Sequence, residues 1–64
     1  MWPEDQLVTL VRTRWPSEIA ETEEILESAG IPYEIFELFD GEEFEFRVPE
    51  TALSAARKAL GMGD

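Results

Sequence analysis

Asp40, Glu42 and Glu43 stand within four positions of one another. Three carboxylates so close are the chemistry of a hard divalent cation. Yet the spaced Asp/Asn ligands, glycine and terminal glutamate of a calcium loop are missing. Along a strand Glu42 and Glu43 point to opposite faces, so they do not converge on one ion. The abundant acids equally fail as a catalytic pair, because acid–base work needs a cleft that drives two pKa values apart. There is no histidine, no cysteine and a single lysine, so the usual bases that activate a serine are not at hand for Ser17, Ser28 or Ser54. The chain is not expected to be an enzyme, nor to hold a metal or cofactor. One anion site is conceivable: Arg12, Arg14 and Trp15 lead into the start of a helix, where backbone N–H groups favour negative charge. Glu18 and Glu21 oppose it, and no glycine loop precedes it.

Fifteen acids against five bases give a net charge of −10. That opposes direct binding to nucleic acid and to anionic membranes. It suits a basic protein partner, or solubility alone. Glutamates 18, 21, 23, 24, 27, 34, 37, 42, 43 and 45 form an acidic set able to mimic DNA toward a basic groove. With 44% apolar residues, this is not a disordered acidic tail. No apolar run reaches the roughly 20 residues of a membrane span. "MWPEDQ" carries acids where a signal peptide carries bases, so a cytoplasmic location is expected. A chain of 64 residues buries only about 60% of its unfolded surface. Without cysteine or histidine, association with another chain is the remaining source of stability.

The elements follow from periodicity. "QLVTLVRT" (6–13) reads as a strand, with Val8 and Leu10 on one face and Leu7, Thr9 and Val11 on the other. "WPSEIAETEEILESAGIP" (15–32) reads as a helix with Ile19, Thr22, Leu26 and Ala29 inward and Ile25 widening the stripe. Gly30 supplies its left-handed end, Ile31 folds back on the last turn, and Pro32 stops it. "IPYEIFELFDGEEFEFRVPE" (31–50) alternates about Asp40-Gly41, a strong hairpin signal. A two-residue turn there pairs Tyr33 with Val48, Ile35 with Phe46 and Glu37 with Phe44 on the inner face. It pairs Glu34 with Arg47, Phe36 with Glu45 and Leu38 with Glu43 on the outer. "PETALSAARKALGMGD" (49–64) holds a second helix, with Ala52, Leu53, Ala56 and Leu60 inward and Arg57 and Lys58 near its end.

The order β-α-β-β-α with a right-handed crossover predicts an α+β fold. Its three-stranded antiparallel sheet has order 2-3-1, with both helices on one face, as in a ferredoxin-like unit lacking its last strand. Residues 7–61 form the single domain, residues 1–6 an N-terminal arm and residues 62–64 a tail. "LVTLV" then lies on a free edge without proline or charge, which invites pairing.

A helix ending "ILESAGIPY" (25–33), a hairpin closing on "RVPE" (47–50) and the alanine-rich "ALSAARKAL" (52–60) are similar to a family of small bacterial domains. These are described as prokaryotic signal-transducing proteins of undefined function, and the likeness spans roughly residues 7–60. It implies a ferredoxin-like fold related to the PII signalling proteins, which tend to associate. PII proteins bind nucleotides with basic and glycine-rich segments and a long loop, where this chain has a two-residue turn. Some relatives carry a cysteine-rich metal-binding tail, and this chain has none.

The reading that results is a non-enzymatic regulatory or adaptor domain acting through protein–protein contact. It is expected to form a homodimer through the edge and open face, at Leu7, Thr9, Val11, Phe36 and Leu38, with the arm around Trp2 contributing. The alternatives are an acidic DNA-mimic inhibitor of a nucleic-acid-binding protein, and a small-effector sensor at a dimer interface near Arg12, Arg14 and Trp15.

Overall fold

The computed structural model describes residues 6–62; Trp2, most of the arm and the end of the tail lie outside the described residues. Strand β1 spans Leu7–Thr13, helix α1 Pro16–Ser28, β2 Glu34–Leu38, β3 Glu43–Pro49 and helix α2 Leu53–Ala59. The three strands form an antiparallel sheet in the order β1-β3-β2, which makes this an α+β fold.

The hairpin register is the one its alternation predicts. Glu34 pairs with Arg47, Ile35 with Phe46, Phe36 with Glu45, Glu37 with Phe44 and Leu38 with Glu43. At the turn, Asp40 and Gly41 both have positive φ, at 55° and 90°, and the Glu42 N–H donates to the Phe39 carbonyl at 3.1 Å. This is the left-handed turn that Asp-Gly favours between right-twisted strands. It differs from a plain two-residue turn in one respect. Phe39 also has positive φ, 52°, which takes it out of the strand, and pairing stops at Leu38 and Glu43.

Strand β1 departs further from expectation. Thr9 lies opposite Arg47, but Val11 lies opposite Phe46, so Leu10 is an extra residue in a β-bulge. The bulge resets the alternation. Val8 and Leu10 point inward as predicted, but Val11, expected on the opposite face, also packs against the core. Arg12, opposite Glu45, and not Val11, continues the outer row begun by Leu7 and Thr9.

Both helices cover one face. Leu26 of α1, Ala56 of α2 and Ala52 just before it form a single buried cluster with Leu10, Ile31, Phe46 and Val48. Ala52 and Ala56 are fully shut off from water, so the small side chains let α2 approach the sheet closely. Helix α1 ends as its sequence predicts. Gly30 has φ 72°, the Ile31 N–H donates to Leu26 and the Gly30 N–H to Glu27. This pattern satisfies the last carbonyls and returns Ile31 to the core. Ala29, expected on the inner stripe, is instead exposed at the helix end.

Candidate functional site

Opposite the helices the sheet has a face that no helix among the described residues covers. Alternation brings Glu34, Phe36 and Leu38 of β2 to it, and Glu43, Glu45 and Arg47 of β3. The bulge adds Leu7, Thr9 and Arg12 of β1. These nine residues are the most informative constellation in the molecule.

At its centre Glu45 is only 1% exposed. The Thr9 hydroxyl donates to its Oε2 at 2.7 Å, the Arg47 Nε donates to the same oxygen at 2.5 Å, and the Arg12 Nε donates to its Oε1 at 3.2 Å. The Thr9 and Arg47 hydrogen bonds, with the positive charge of both arginines, hold its carboxyl below the usual range against the opposing effect of burial. A buried carboxylate demands such donors, because an unpaired one would be driven to take up a proton. The Arg47 guanidinium also stacks on Phe36, 4.3 Å from the ring centre. The apolar groups here are therefore half-buried: Leu7, Phe36 and Leu38 surround a polar centre whose hydrogen bonds are already made.

Of the residues predicted to make a protein contact, Leu7, Thr9, Phe36 and Leu38 come together on this face, while Val11 does not. The bulge bears on the free edge as well. Edge-to-edge pairing wants a regular strand, and a bulge in β1 disfavours it. The face is the better candidate.

The residues predicted for an anion do not converge. Arg12 is committed to Glu45. Arg14 is exposed, and Trp15 is 59% exposed and does not close the core's end. At the start of α1 the Thr13 hydroxyl donates to the Glu18 carboxylate and accepts from the Trp15 N–H. Glu18 thus places the chain's own negative charge where an anion would sit.

Sequence reasoning treated Glu45 as one more solvated acid, and the structure corrects this. A signal existed in the outer-row order Glu43, Glu45, Arg47 with Arg12 upstream, but its use required the β1 register. Elsewhere the Tyr33 hydroxyl donates to Glu27 at 2.8 Å and lies 3.4 Å from Glu23. The hydrogen bond to Glu27, with desolvation and the nearby charge, pushes its pKa up to about 12. Among the described residues no cluster of His, Cys, Asp or Glu is arranged to hold a metal. No helix among them is long and apolar enough to cross a membrane. No family model, curated protein or solved structure matches the chain.

Proposed function

We propose that the chain is a non-enzymatic regulatory or adaptor domain that works by protein–protein contact through the helix-free face of its sheet. One observation carries this reading: Leu7, Phe36 and Leu38 share the face with a buried carboxylate whose oxygens are already satisfied within the chain. Its buried carboxylate is already desolvated and hydrogen-bonded, so covering the face asks nothing further of that group. The acidic remainder keeps the protein soluble and draws basic surfaces toward it. A role in bacterial signal transduction, in the cytoplasm, accords with the resemblance of "ILESAGIPY" and "RVPE" to that family. The acidic-mimic reading loses Glu45 from its charge set, and the effector reading loses Arg12, so both stand behind this one.

The test is paired affinity capture from the native host's lysate at low and high salt, with the natural chain and Leu38→Lys as baits. A protein held at high salt by the natural chain and lost with the variant is the expected result. A nucleic-acid enzyme released by salt, and indifferent to Leu38→Lys, would replace this reading with mimicry.

A further inference from the structure

Among the described residues the exposed large apolar side chains are Trp15, Phe39 and Met62. The register brings the first two to one end of the sheet. Thr13, Phe44 and Glu37 form the last row that spans all three strands. Trp15 follows that row on the β1 side, and Phe39 follows it, after Leu38, on the β2 side. Because β3 lies between β1 and β2, the strand ends that carry the two aromatics are about 10 Å apart. Phe39 is also strained. Its φ of 52° is left-handed, a conformation the Asp40-Gly41 turn does not require of the residue before it, and its ring gains no burial from it. Strain that brings the fold no contact points to function.

The surroundings say what kind of contact. Asp40 adjoins Phe39 in the chain, and Glu42 and Glu43 follow within four positions. The Glu37 Oε2 lies so close over the turn that a Cβ on Gly41 would come within 2.6 Å of it. The ion pairs among the described residues engage Glu45 and none of these four acids. Arg12 is committed to Glu45, and Arg14, next to Trp15, sets one positive charge against four negative ones. The open face shows how this chain combines such groups. There one guanidinium, that of Arg47, lies 4.3 Å from the centre of the Phe36 ring while its Nε donates to the Glu45 carboxylate. Stacking on a ring and a charge-assisted hydrogen bond to an acid reinforce each other on one planar cation. At the tip a ring and carboxylates again stand together, both facing water.

We infer that the hairpin-tip end of the sheet binds an arginine-rich segment of another protein, with guanidiniums stacked on Phe39 and Trp15 and paired with Asp40, Glu42 and Glu43. The net charge of −10 draws such a segment in, and the two rings hold it in place. Arginine fits better than lysine, because a planar guanidinium stacks on a ring and still donates to a carboxylate, while an ammonium is a compact, strongly hydrated charge. The same acids repel a phosphate backbone. The inference goes beyond the open-face reading and uses none of that face's apolar residues.

The test is calorimetric titration of the full chain with octa-arginine and with octa-lysine at one fixed salt concentration. Octa-arginine is expected to bind several-fold more tightly than octa-lysine. Phe39→Gly and Trp15→Ser change no charge, yet each is expected to weaken octa-arginine several-fold, and the two together about tenfold. Neither substitution threatens the fold: glycine relieves the strain at position 39, and serine suits the N-cap of α1, where Trp15 stands. Glu42→Gln, at the tip, is expected to weaken binding more than Glu24→Gln, on the exposed side of α1, although each removes one charge. An octa-arginine affinity unchanged in both Phe39→Gly and Trp15→Ser overturns the inference, because binding then follows net charge alone. Equal losses from Glu42→Gln and Glu24→Gln overturn it for the same reason, and so does octa-lysine binding as tightly as octa-arginine. None of these results bears on the open face, whose own test is Leu38→Lys.

Discussion

On the helix side of β3, Phe46 lies fully buried among Leu10, Leu26, Val48 and Ala56, with the Tyr33 ring 5.8 Å from its own. On the other side of the same strand, its neighbour Glu45 is 1% exposed with no helix among the described residues above it. Phe46 is kept from water by mass: two helices and two strands press apolar groups against it. Glu45 is kept from water by saturation, with one hydroxyl and two guanidiniums occupying both its oxygens. The two kinds of burial respond differently to damage. Apolar burial contributes in proportion to area, roughly 1.5–3 kcal/mol for one large side chain. An ion cluster gains little net stability, because desolvation offsets its attraction, but it is costly to leave half made.

The largest expected effect is on the helix side. Phe46→Ala removes the centre of the core and should cost about 3–5 kcal/mol, read as a fall in the urea midpoint. In a domain this small, that is a large share of the total stability.

The open side should be sensitive to how Glu45 is removed. Glu45→Ala leaves Arg12 and Arg47 facing each other across a gap and should cost about 1–3 kcal/mol. Glu45→Leu fills the gap, and both arginines, already 56% and 39% exposed, can turn to water, so it should cost clearly less. If Glu45→Ala costs as much as Phe46→Ala, the distinction between the two faces fails. The pH dependence has a definite sign. The folded carboxyl titrates below its ordinary value of 4.5. Its contribution is therefore present above that pH and is lost as pH falls through the lower folded value. Acid unfolding of Glu45→Leu should lack this component.

A third test uses the alkaline side, where the outer acids of α1 act on the sheet. Tyr33 is the single tyrosine, so phenolate absorbance reports it alone. It should titrate near 12 in the folded chain against 10.0 when unfolded. The raised value means its contribution is complete below pH 10.0 and is lost as pH rises through about 12. Titration near 10 under folding conditions would mean the bonds to Glu27 and Glu23 do not persist in solution.

The smallest effect belongs to the hairpin tip, common to both faces. Phe39 combines positive φ with 68% exposure, and no Cβ-bearing aromatic adopts that backbone without strain. Phe39→Gly should stabilise by about 0.5 kcal/mol, the relief of strain being partly offset by unfolded-state entropy. A destabilisation would show that the exposed ring contributes a contact.

Local pattern made much of this molecule legible. The hairpin register followed from alternation about Asp40-Gly41, since a tight turn leaves neighbouring strands almost no freedom of alignment. The α1 terminus followed from "AGIP", because only glycine takes the left-handed position easily. The antiparallel β1-β3-β2 sheet followed from element order and crossover handedness. The bulge at Leu10 was not legible. "LVTLVRT" contains no glycine to mark it, and a bulge exists only in relation to the strand opposite. Everything on the open face beyond the hairpin depends on that one residue. It turns Val11 inward, brings Arg12 outward beside Glu45, and so decides that an acid in the middle of an acidic sequence is buried. Contacts within one hairpin are set by near neighbours in the chain. The fate of Glu45 is set by Thr9 and Arg12, more than thirty residues away, and only the folded sheet brings them together.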